Sequence, residues 1–439
     1  MKILNLFKNK EIKNAGWLIG GKIAQMIISL FVGVLTARYL GPSNYGLINY
    51  ASAYIAFFNS FCTLGINSVI IKNFKDNQEE QGLAIGSTLV LRAISSILSA
   101  ITIIAIVGII DSEEPLTIVI VALCSLALPF HIFDTFNYWF QSRYQSKITS
   151  LATLVAYALT SAYKIVLLIL GKDIKWFAIA TSIDYICIAI FLFIAYKKFN
   201  GPKLKFSFEK AKQLLKSSYH YILSGMMVAI YGQTDKLMLK QMLGETQVGY
   251  YSAATTICGM WVFILSAIID SIYPTIISLN GKDEKAFEKK NKQLYSIVFY
   301  VSSFVSFVFL LFGDLIIWIL YGQAFKPAVK PLKIITWYTA FSYLGVARNA
   351  WIVSKSKQKY LKYAYLSAAI INVCLNYFLI PIWGASGAAV ASLITEMFTS
   401  IILPLFIKGL KPNVKIMLEA IALKGVFNKK AKNNTNNSN

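Results

Sequence analysis

The stretch Leu243-Gly244-Glu245-Thr246-Gln247-Val248-Gly249-Tyr250-Tyr251-Ser252-Ala253-Ala254 interrupts a long apolar region in the second half of the chain. A similar stretch lies far upstream in the first half of the chain, Leu40-Gly41-Pro42-Ser43-Asn44-Tyr45-Gly46-Leu47-Ile48-Asn49-Tyr50-Ala51. Both copies follow the pattern L-G-x4-G-x4-A, and both lie between two hydrophobic spans. The repetition predicts a duplicated chain in which each half carries one copy.

The composition is that of a helical membrane protein. The chain has 439 residues, of which 56% are hydrophobic, and its mean hydropathy is +0.58. Apolar runs of about 18 residues or more, the length needed to cross a bilayer, recur to the end of the chain. We therefore predict an all-α polytopic membrane protein.

The strongly basic charge has a simple explanation in such a protein. A formal net charge of +23 would suggest nucleic-acid binding in a water-soluble chain. Here the cations crowd alternate loops, as they do on the cytoplasmic side of membrane proteins, so no nucleic-acid partner is expected. The five cysteines and two histidines have no metal-ligand spacing, and we expect no metal site.

Hydropathy predicts twelve spans, which cover residues 15–38, 45–71, 83–110, 115–140, 148–170, 174–196, 214–242, 248–279, 293–319, 332–354, 360–381 and 385–407. Lysine and arginine concentrate in every second loop, whereas the loops between them hold few cations and the acidic segment Asp111-Ser112-Glu113-Glu114. This alternation predicts that both termini are cytoplasmic, which requires an even number of spans.

A lysine-rich gap after the sixth span divides the chain into two halves. We predict an N-terminal six-helix lobe at 1–199, a cytoplasmic linker at 200–213, a C-terminal six-helix lobe at 214–407 and a partly disordered cytoplasmic tail at 408–439. Within these segments, Phe206 to Leu215 is a candidate interfacial helix, and Lys411 to Leu423 is expected on the inner leaflet.

Four cations lie deep within the predicted spans: Lys22, Arg92, Lys164 and Arg348. A central Lys or Arg costs about 2.5–3.5 kcal/mol on the insertion scale, so four facing lipid would cost on the order of 10 kcal/mol. They should therefore face a hydrated interior or a partner. Cations near span ends are expected to snorkel to the interface, namely Arg38, Lys216, Lys236 and Lys240.

Polar residues recur at helical spacing beside these cations. Ser96 lies one turn from Arg92 in the third span, and Asn59 belongs to a polar face of the second span. Such stripes either pack helices together or line a shared polar cavity. The cavity interpretation adds Ser96 and Asn59 to the candidate binding residues.

The intramembrane acids are open to two interpretations. They either pair with the buried cations, or one or more forms a Na⁺ or proton site that couples transport. Asp235 is the first candidate for coupling because it lies near the repeated motif. The other candidates are Asp134, Asp184 and Glu396.

A cavity lined by lysine and arginine prefers anions, and phosphate or diphosphate suits it through charge-assisted hydrogen bonds. The hydroxyl and amide side chains suit sugar hydroxyls. The sequence has no P-loop and no catalytic signature, and its outer loops are too short for an acceptor site. We therefore expect a protein that is not an enzyme, with no cofactor beyond a coupling Na⁺ or H⁺.

Several motifs together resemble a known family. They are Gly16-Trp-Leu-Ile-Gly-Gly-Lys22, Ala37 to Gly46 and Leu64-Gly-Ile in the first half, and Asp235-Lys-Leu-Met-Leu239, Leu243 to Tyr251 and Trp383-Gly-Ala-Ser-Gly-Ala-Ala389 in the second. They resemble the polysaccharide repeat-unit flippases, which serve O-antigen or capsule oligosaccharides. These belong to the multidrug/oligosaccharidyl-lipid/polysaccharide transporter superfamily.

The resemblance implies two pseudo-symmetric six-helix lobes around a central cavity. It implies that undecaprenyl-diphosphate-linked oligosaccharide crosses the bacterial cytoplasmic membrane by alternating access, with the lipid tail left among membrane lipids. By analogy, Lys22, Arg92, Lys164 and Arg348 would hold the diphosphate. Polysaccharide polymerase and glycosyltransferases are the protein partners it suggests.

Three alternatives stay open at this point. A multidrug exporter of the same superfamily would favour an acidic, aromatic pocket over a basic one. A lipid II exporter is closer still, but the resemblance implies that its members often carry additional spans. A membrane scaffold that gathers glycosyltransferases without transporting anything would tolerate changes in the cavity.

Overall fold

The structure is a computed structural model that describes residues 10–426, apart from the side chains of residues 10–13, 15, 68, 223 and 224. Regular structure within this range is helical. The α-helices are Lys10–Thr63, Asn67–Asp76, Gln81–Ile110, Pro115–Ser125, Asp134–Ser142, Ser146–Ile169, Ile174–Lys198, Phe208–Leu243, Glu245–Trp261, Phe263–Leu279, Glu284–Tyr321, Val329–Ala347, Asn349–Ser354, Leu361–Trp383, Ala385–Met397, Leu403–Phe406 and Lys411–Ile421. Short 3₁₀ helices cover Leu128–Phe133, Gln323–Ala328 and Gln358–Tyr360, and a π-helix covers Phe398–Ile402.

Each predicted span falls on one or more of these helices. Between residues 10 and 426, nine helical segments are long and apolar enough to cross a membrane by length and composition. The predicted seventh and tenth spans lie on Phe208–Leu243 and Val329–Ala347, which are not among the nine. Helix Phe208–Leu243 carries more polar residues than its two neighbours, and Val329–Ala347 has Lys330 and Lys333 in its first turns.

The first helix contains two predicted spans. Lys10–Thr63 has 54 residues, about 80 Å at 1.5 Å per residue, which is more than twice the thickness of a bilayer core. Inside it, Gly41 has φ 71° and ψ 173°, a backbone region that is essentially restricted to glycine. Gly244, at the same place in the second copy of the motif, has φ 86° and ψ 173°. The two copies therefore make the same bend, as expected for a structural repeat.

Backbone contacts divide the chain into two compact units. The first holds the chain up to Ala253 with Ile317–Ala328 and Asn376–Ala388, and the second holds Ala254–Ile316, Val329–Leu375 and the chain from Ala389 onward. The lobes predicted at 1–199 and 214–407 divide the chain by sequence symmetry instead, and they stay a prediction.

The backbone of the linker between the predicted lobes packs directly against helix Gln81–Ile110. The Cβ positions of Gly82 and Gly86 lie 2.2 Å from the carbonyl oxygens of Lys203 and Lys205, so only glycine allows this approach. Lys205 N donates to Gly82 O at 3.1 Å. Most of the candidate interfacial segment Phe206 to Leu215 is helical, but it is not a helix of its own, and its interfacial position stays a prediction. Helix Phe208–Leu243 begins there, with Ser207 as its N-cap.

Each unit has its own apolar core. In the first, Phe74, Phe136 and Trp139 are fully packed together near the ends of their helices. In the second, Met417 of helix Lys411–Ile421 packs into a core with Tyr295 and Trp351. The segment expected on the inner leaflet is therefore a helix docked on its own unit. The tail predicted to be disordered lies, from residue 427 to 439, outside the described residues.

Candidate functional site

Arg92 is the most completely buried of the four predicted cavity cations, with 1% exposure. Helix Gln81–Ile110 carries it into a polar cluster of the first unit. Its guanidinium donates to Thr135 Oγ1 at 3.2 Å and to Asn67 Oδ1. It also lies over the Tyr138 ring, 5.6 Å from the centroid. Its contact partners are therefore neutral, which leaves the positive charge in place.

Three of the four cations have an acid nearby. Arg92 interacts electrostatically with Asp134, Lys164 with Asp184, and Arg348 with Glu396. Among the described residues, neither Arg92 with Asp134 nor Lys164 with Asp184 brings a side-chain nitrogen and a carboxylate oxygen within 4.0 Å. Asp134 and Asp184 thus moderate the local charge without occupying the donors of their cations.

The Arg92 and Lys164 clusters are connected through Tyr185. Its hydroxyl interacts electrostatically with both Asp134 and Asp184, and its ring stacks on His131 with centroids 3.9 Å apart. Thr160 Oγ1 donates to Asp184 Oδ1 at 3.3 Å. A continuous polar cluster therefore crosses the first unit from Asn67 to Lys164.

The remaining predicted residues of the first unit lie in different surroundings. Ser96 is fully buried one turn from Arg92. Asn59 is partly buried, and its Oδ1 has no hydrogen-bond partner among the described residues. Lys22 is exposed, beside the point where Gly21 contacts Ser150 of helix Ser146–Ile169. Asn59 thus offers an unpaired acceptor, and Lys22 an accessible cation.

Arg348 belongs to the second unit and has a clear local function. Its Nη1 donates to the carbonyl oxygens of Thr399 and Ser400, at 3.3 Å each. Both carbonyls lie in the π-helix Phe398–Ile402, where the ordinary i to i−4 pairing is displaced. Arg348 therefore completes the hydrogen bonding of this irregular turn, a contact that sequence reasoning did not anticipate.

Asp235 contacts the repeated motif, as its position in the sequence suggested. It is 5% exposed and accepts hydrogen bonds from Asn376 Nδ2 at 2.6 Å and from the hydroxyl of Tyr251. Tyr251 is part of the second motif copy. Whether Asp235 takes a coupling ion stays a prediction, as do the roles of Asp134, Asp184 and Glu396.

Lys240 was expected to snorkel, and that expectation is wrong. Its side chain is buried, and Nζ lies 2.8 and 2.7 Å from the two carboxylate oxygens of Glu114. Carboxylates of Asp111 and Glu245 are each 3.9 Å away. The hydrogen bonds from Lys240 and Thr117 lower the pKa of Glu114 below its usual range. The acidic loop, on the same predicted side as Lys240, was the signal that could have revealed this cluster.

Neutral side chains extend the Lys240 cluster. Asp111 accepts from Tyr50 OH at 2.8 Å and from Gln241 Nε2 at 2.9 Å. Ser43 Oγ donates to Glu245 Oε1 at 2.8 Å. The network therefore joins both copies of the motif to the acidic loop.

The two motif copies also touch through their backbones. A Cβ on Gly46 would lie 1.8 Å from Glu245 O, and one on Gly249 would lie 2.0 Å from Pro42 O. The second glycine of each copy thus faces the turn of the other. This reciprocal contact explains why both patterns need glycine at that position.

Sequence comparison gives one family match. The profile of a family described as polysaccharide biosynthesis proteins matches residues 12–280. That range includes both copies of the repeated motif.

Three curated relatives agree with the family. A protein described as an O-antigen transporter of Escherichia coli (strain K12) is 24% identical over 216 residues, 48% of this chain and 51% of that protein. The chain thus spans about half the length of this relative. A protein of Shigella flexneri with the same description is 20% identical, over 89% of this chain and 96% of that one. A capsular polysaccharide biosynthesis protein of Staphylococcus aureus is 22% identical, over 88% and 96%.

Two solved structures share the fold. An inward-facing multidrug resistance transporter of the MATE family, in the MOP superfamily, has a TM-score of 0.67 at 16% identity, over 90% of this chain and 96% of that one. A lipid II flippase in an inward closed conformation has a TM-score of 0.67 at 17% identity, over 93% and 92%. These neighbours confirm the predicted class, an all-α polytopic membrane protein of the two-lobe, twelve-helix type.

Proposed function

We propose that this chain, which belongs to the polysaccharide biosynthesis protein family of flippases, moves undecaprenyl-diphosphate-linked oligosaccharide across the bacterial cytoplasmic membrane by alternating access. The family and its relatives support the coarser activity, a polysaccharide flippase of the MOP superfamily. The lipid-linked substrate, the membrane and the mechanism are the proposal. Both termini are proposed to be cytoplasmic, from the alternation of lysine-rich loops.

The observation that supports this substrate best is the setting of Arg92. A guanidinium with 1% exposure, held by neutral donors and acceptors within an apolar unit, is costly unless it serves a ligand or a network. Arg92 Nε has no hydrogen-bond partner among the described residues, and a phosphate could replace the neutral partners Thr135 and Asn67 on the other two nitrogens. Lys164, and the exposed Lys22, would add charge for the second phosphate.

A reconstituted transport assay tests the proposal. The full-length protein is placed in vesicles with undecaprenyl-diphosphate-linked oligosaccharide, and arrival of the glycan in the opposite leaflet is followed with an added glycosidase. We expect Arg92→Met to slow transport about 10-fold or more, since a hydrogen bond to a charged group contributes about 1.5–3 kcal/mol. Lys164→Met should act in the same direction.

Controls separate charge from folding. Arg92→Lys keeps the positive charge and should retain part of the rate, whereas the exposed Lys172→Met should transport at the wild-type rate. Wild-type transport by folded Arg92→Met and Lys164→Met variants would remove these residues from the site. Movement of lipid II or a cationic drug, but not of the oligosaccharide, would identify one of the exporters. A protein that moves none of them, yet is needed for polysaccharide in cells, would be a scaffold.

Asp235 is our first candidate for the coupling group. It is buried and hydrogen-bonded to Tyr251 and Asn376, which belong to the motif and to helix Leu361–Trp383. Asn at this position keeps the shape but cannot carry the negative charge. We expect Asp235→Asn vesicles to equilibrate the substrate but to lose acceleration by a Na⁺ or proton gradient. An unchanged response to both gradients would move the assignment to Asp134, Asp184 or Glu396.

A further inference from the structure

Lys240 connects segments that belong to different halves of the repeat. Its ammonium is bound by Glu114 of the acidic loop, which precedes Pro115 in the first half, and it lies 3.9 Å from Glu245 in the second. Gln241, in the second half of the repeat, donates to the hydroxyl of Tyr50, in the first half, at 2.7 Å. The segment Asp111 to Glu114 lies on the side that the lysine count assigns to the outer face.

We propose that these side chains form an outer lock, with Lys240 as its central positioning residue, which holds the outer end of the pathway closed in one state of the transport cycle. The outer lock consists of Tyr50, Asp111, Glu114, Lys240, Gln241 and Glu245. This inference rests on the proposed alternating access, because a glycan can leave on the outer side only when the two halves separate there.

Charged groups suit a contact that must break in every cycle. A buried ion pair gains attraction but loses the hydration of both charges, so the two terms largely offset each other. When the lock opens, Lys240 and Glu114 regain water, and the open state is not strongly penalised. Apolar side chains of the same size would instead expose their area to water on opening. In a transporter, the free-energy difference between the closed and open states must be small enough for substrate binding to shift the equilibrium.

The glycine contacts give the lock a fixed distance. Because Gly46 and Gly249 allow the two backbones to touch, Ser43 and Glu245 come within hydrogen-bond distance. The charges therefore meet only when the motif copies are fully engaged. The outer lock therefore stabilises the closed state, and the two glycines set the distance between the backbones that carry it.

The test measures access to a side chain behind the lock. Leu47 is 4% exposed and follows Gly46 directly. In full-length protein whose five cysteines have been replaced by serine, Leu47→Cys is treated with a membrane-impermeant maleimide from the outer side. We expect Lys240→Met to raise the labelling rate about fivefold or more, the lower end of typical coupling between states. Lys240→Arg keeps the positive charge beside Glu114, Asp111 and Glu245, and it should label at a rate near that of the parent.

A matched control is available on the same predicted side. Lys333 pairs with Asp314 at 2.5 Å, but the side chain of Asp314 is 64% exposed. Lys333→Met should leave the labelling rate unchanged. If Lys240→Met does not fold, Glu114→Gln removes the ion pair from the exposed side and should also raise labelling. Parent-like labelling in a folded Lys240→Met or Glu114→Gln variant would overturn the lock.

The labelling assay needs no glycan, so the two proposals fail separately. Increased labelling in Lys240→Met, with no oligosaccharide transport by the parent, would support the outer lock and exclude the proposed substrate. Oligosaccharide transport that depends on Arg92, with labelling unaffected by Lys240→Met, would leave the flippase standing and reject the lock.

Discussion

Gly46 faces the backbone of Glu245 so closely that a methyl group on Gly46 would lie 1.8 Å from the Glu245 carbonyl oxygen. Gly249 faces the carbonyl of Pro42 in the same way, at 2.0 Å. Position 46 in one copy of the motif corresponds to 249 in the other, and Pro42 corresponds to Glu245. The contact is therefore symmetric with respect to the repeat. It explains why the second glycine of the L-G-x4-G-x4-A pattern is present in both copies.

This relationship predicts that Gly46→Ala destabilises the protein. The added methyl group meets a backbone oxygen that cannot rotate away, and overpacking of this kind costs about 1–3 kcal/mol. We expect an earlier thermal unfolding transition of the purified protein, together with slower transport. The same direction is expected for Gly249→Ala.

A glycine on the same helix supplies the control. No heavy atom lies within 4 Å of a Cβ built on Gly33, so Gly33→Ala should be neutral or gain up to about 1 kcal/mol from better helix propensity. If Gly46→Ala and Gly33→Ala unfold at the same temperature, the close approach of the two motif copies does not exist in the protein.

Much of the fold follows from hydropathy alone. A span such as 83–110 must be helical in a bilayer because its backbone groups have no water to bind, and the structure places helix Gln81–Ile110 there. Irregular positions were harder to foresee. The break at Leu128–Phe133 and the π-helix at Phe398–Ile402 depend on packing between helices, which a local apolar pattern does not encode.

The site was predicted least well where partners are distant in sequence. Lys240 lies near the end of its own helix, where the local sequence predicts a snorkelling lysine. Its partner Glu114 is 126 positions away, and the pairing depends on how the helices assemble. Asp235, by contrast, was placed near the motif by sequence proximity, and it does contact Tyr251.

Arg348 gives a prediction that separates structure from substrate binding. Arg348→Met leaves the carbonyls of Thr399 and Ser400 without this donor, and an unsatisfied buried group costs about 1–3 kcal/mol. We expect a lower unfolding temperature as well as slower transport. Arg348→Lys should recover part of the stability, because an ammonium can still donate to a carbonyl. A fully stable Arg348→Met variant that cannot transport would assign Arg348 to the substrate alone.

Glu419 gives a prediction about pH. It lies on helix Lys411–Ile421 and accepts from Lys292 at 2.5 Å, and this hydrogen bond lowers the pKa of Glu419 below its usual range. A lowered pKa in the folded state means that the pair stabilises the docked helix above the usual glutamic acid range. That stabilisation is lost as the pH falls through the lowered value.

Hydrogen exchange of helix Lys411–Ile421 checks this sign. At neutral pH we expect Glu419→Gln to exchange about twofold to fivefold faster than the parent, as a partly exposed ion pair contributes up to about 1 kcal/mol. Once the pH is below the lowered pKa of Glu419, the two proteins should exchange alike. Lys415→Gln is the control, since Lys415 is 80% exposed and 4.0 Å from Glu419. A difference that persists unchanged in acid would exclude the ion pair as its source.

The linker gives the last prediction, which concerns the membrane surface. Its backbone is held on Gly82 and Gly86, while the side chains of Phe206 and Phe208 are 54% and 76% exposed. Lysines flank them at 203 and 205. Apolar rings beside cations suit the headgroup region of an anionic leaflet, where each lysine contributes about 1 kcal/mol.

A fluorophore on Phe206→Cys, in vesicles containing phosphatidylglycerol, should be quenched by spin-labelled lipid and protected from iodide. The same fluorophore on the exposed Lys212→Cys should respond more strongly to iodide. Equal iodide quenching at both positions would show that Phe206 faces water, and the aromatic pair would then need a protein partner.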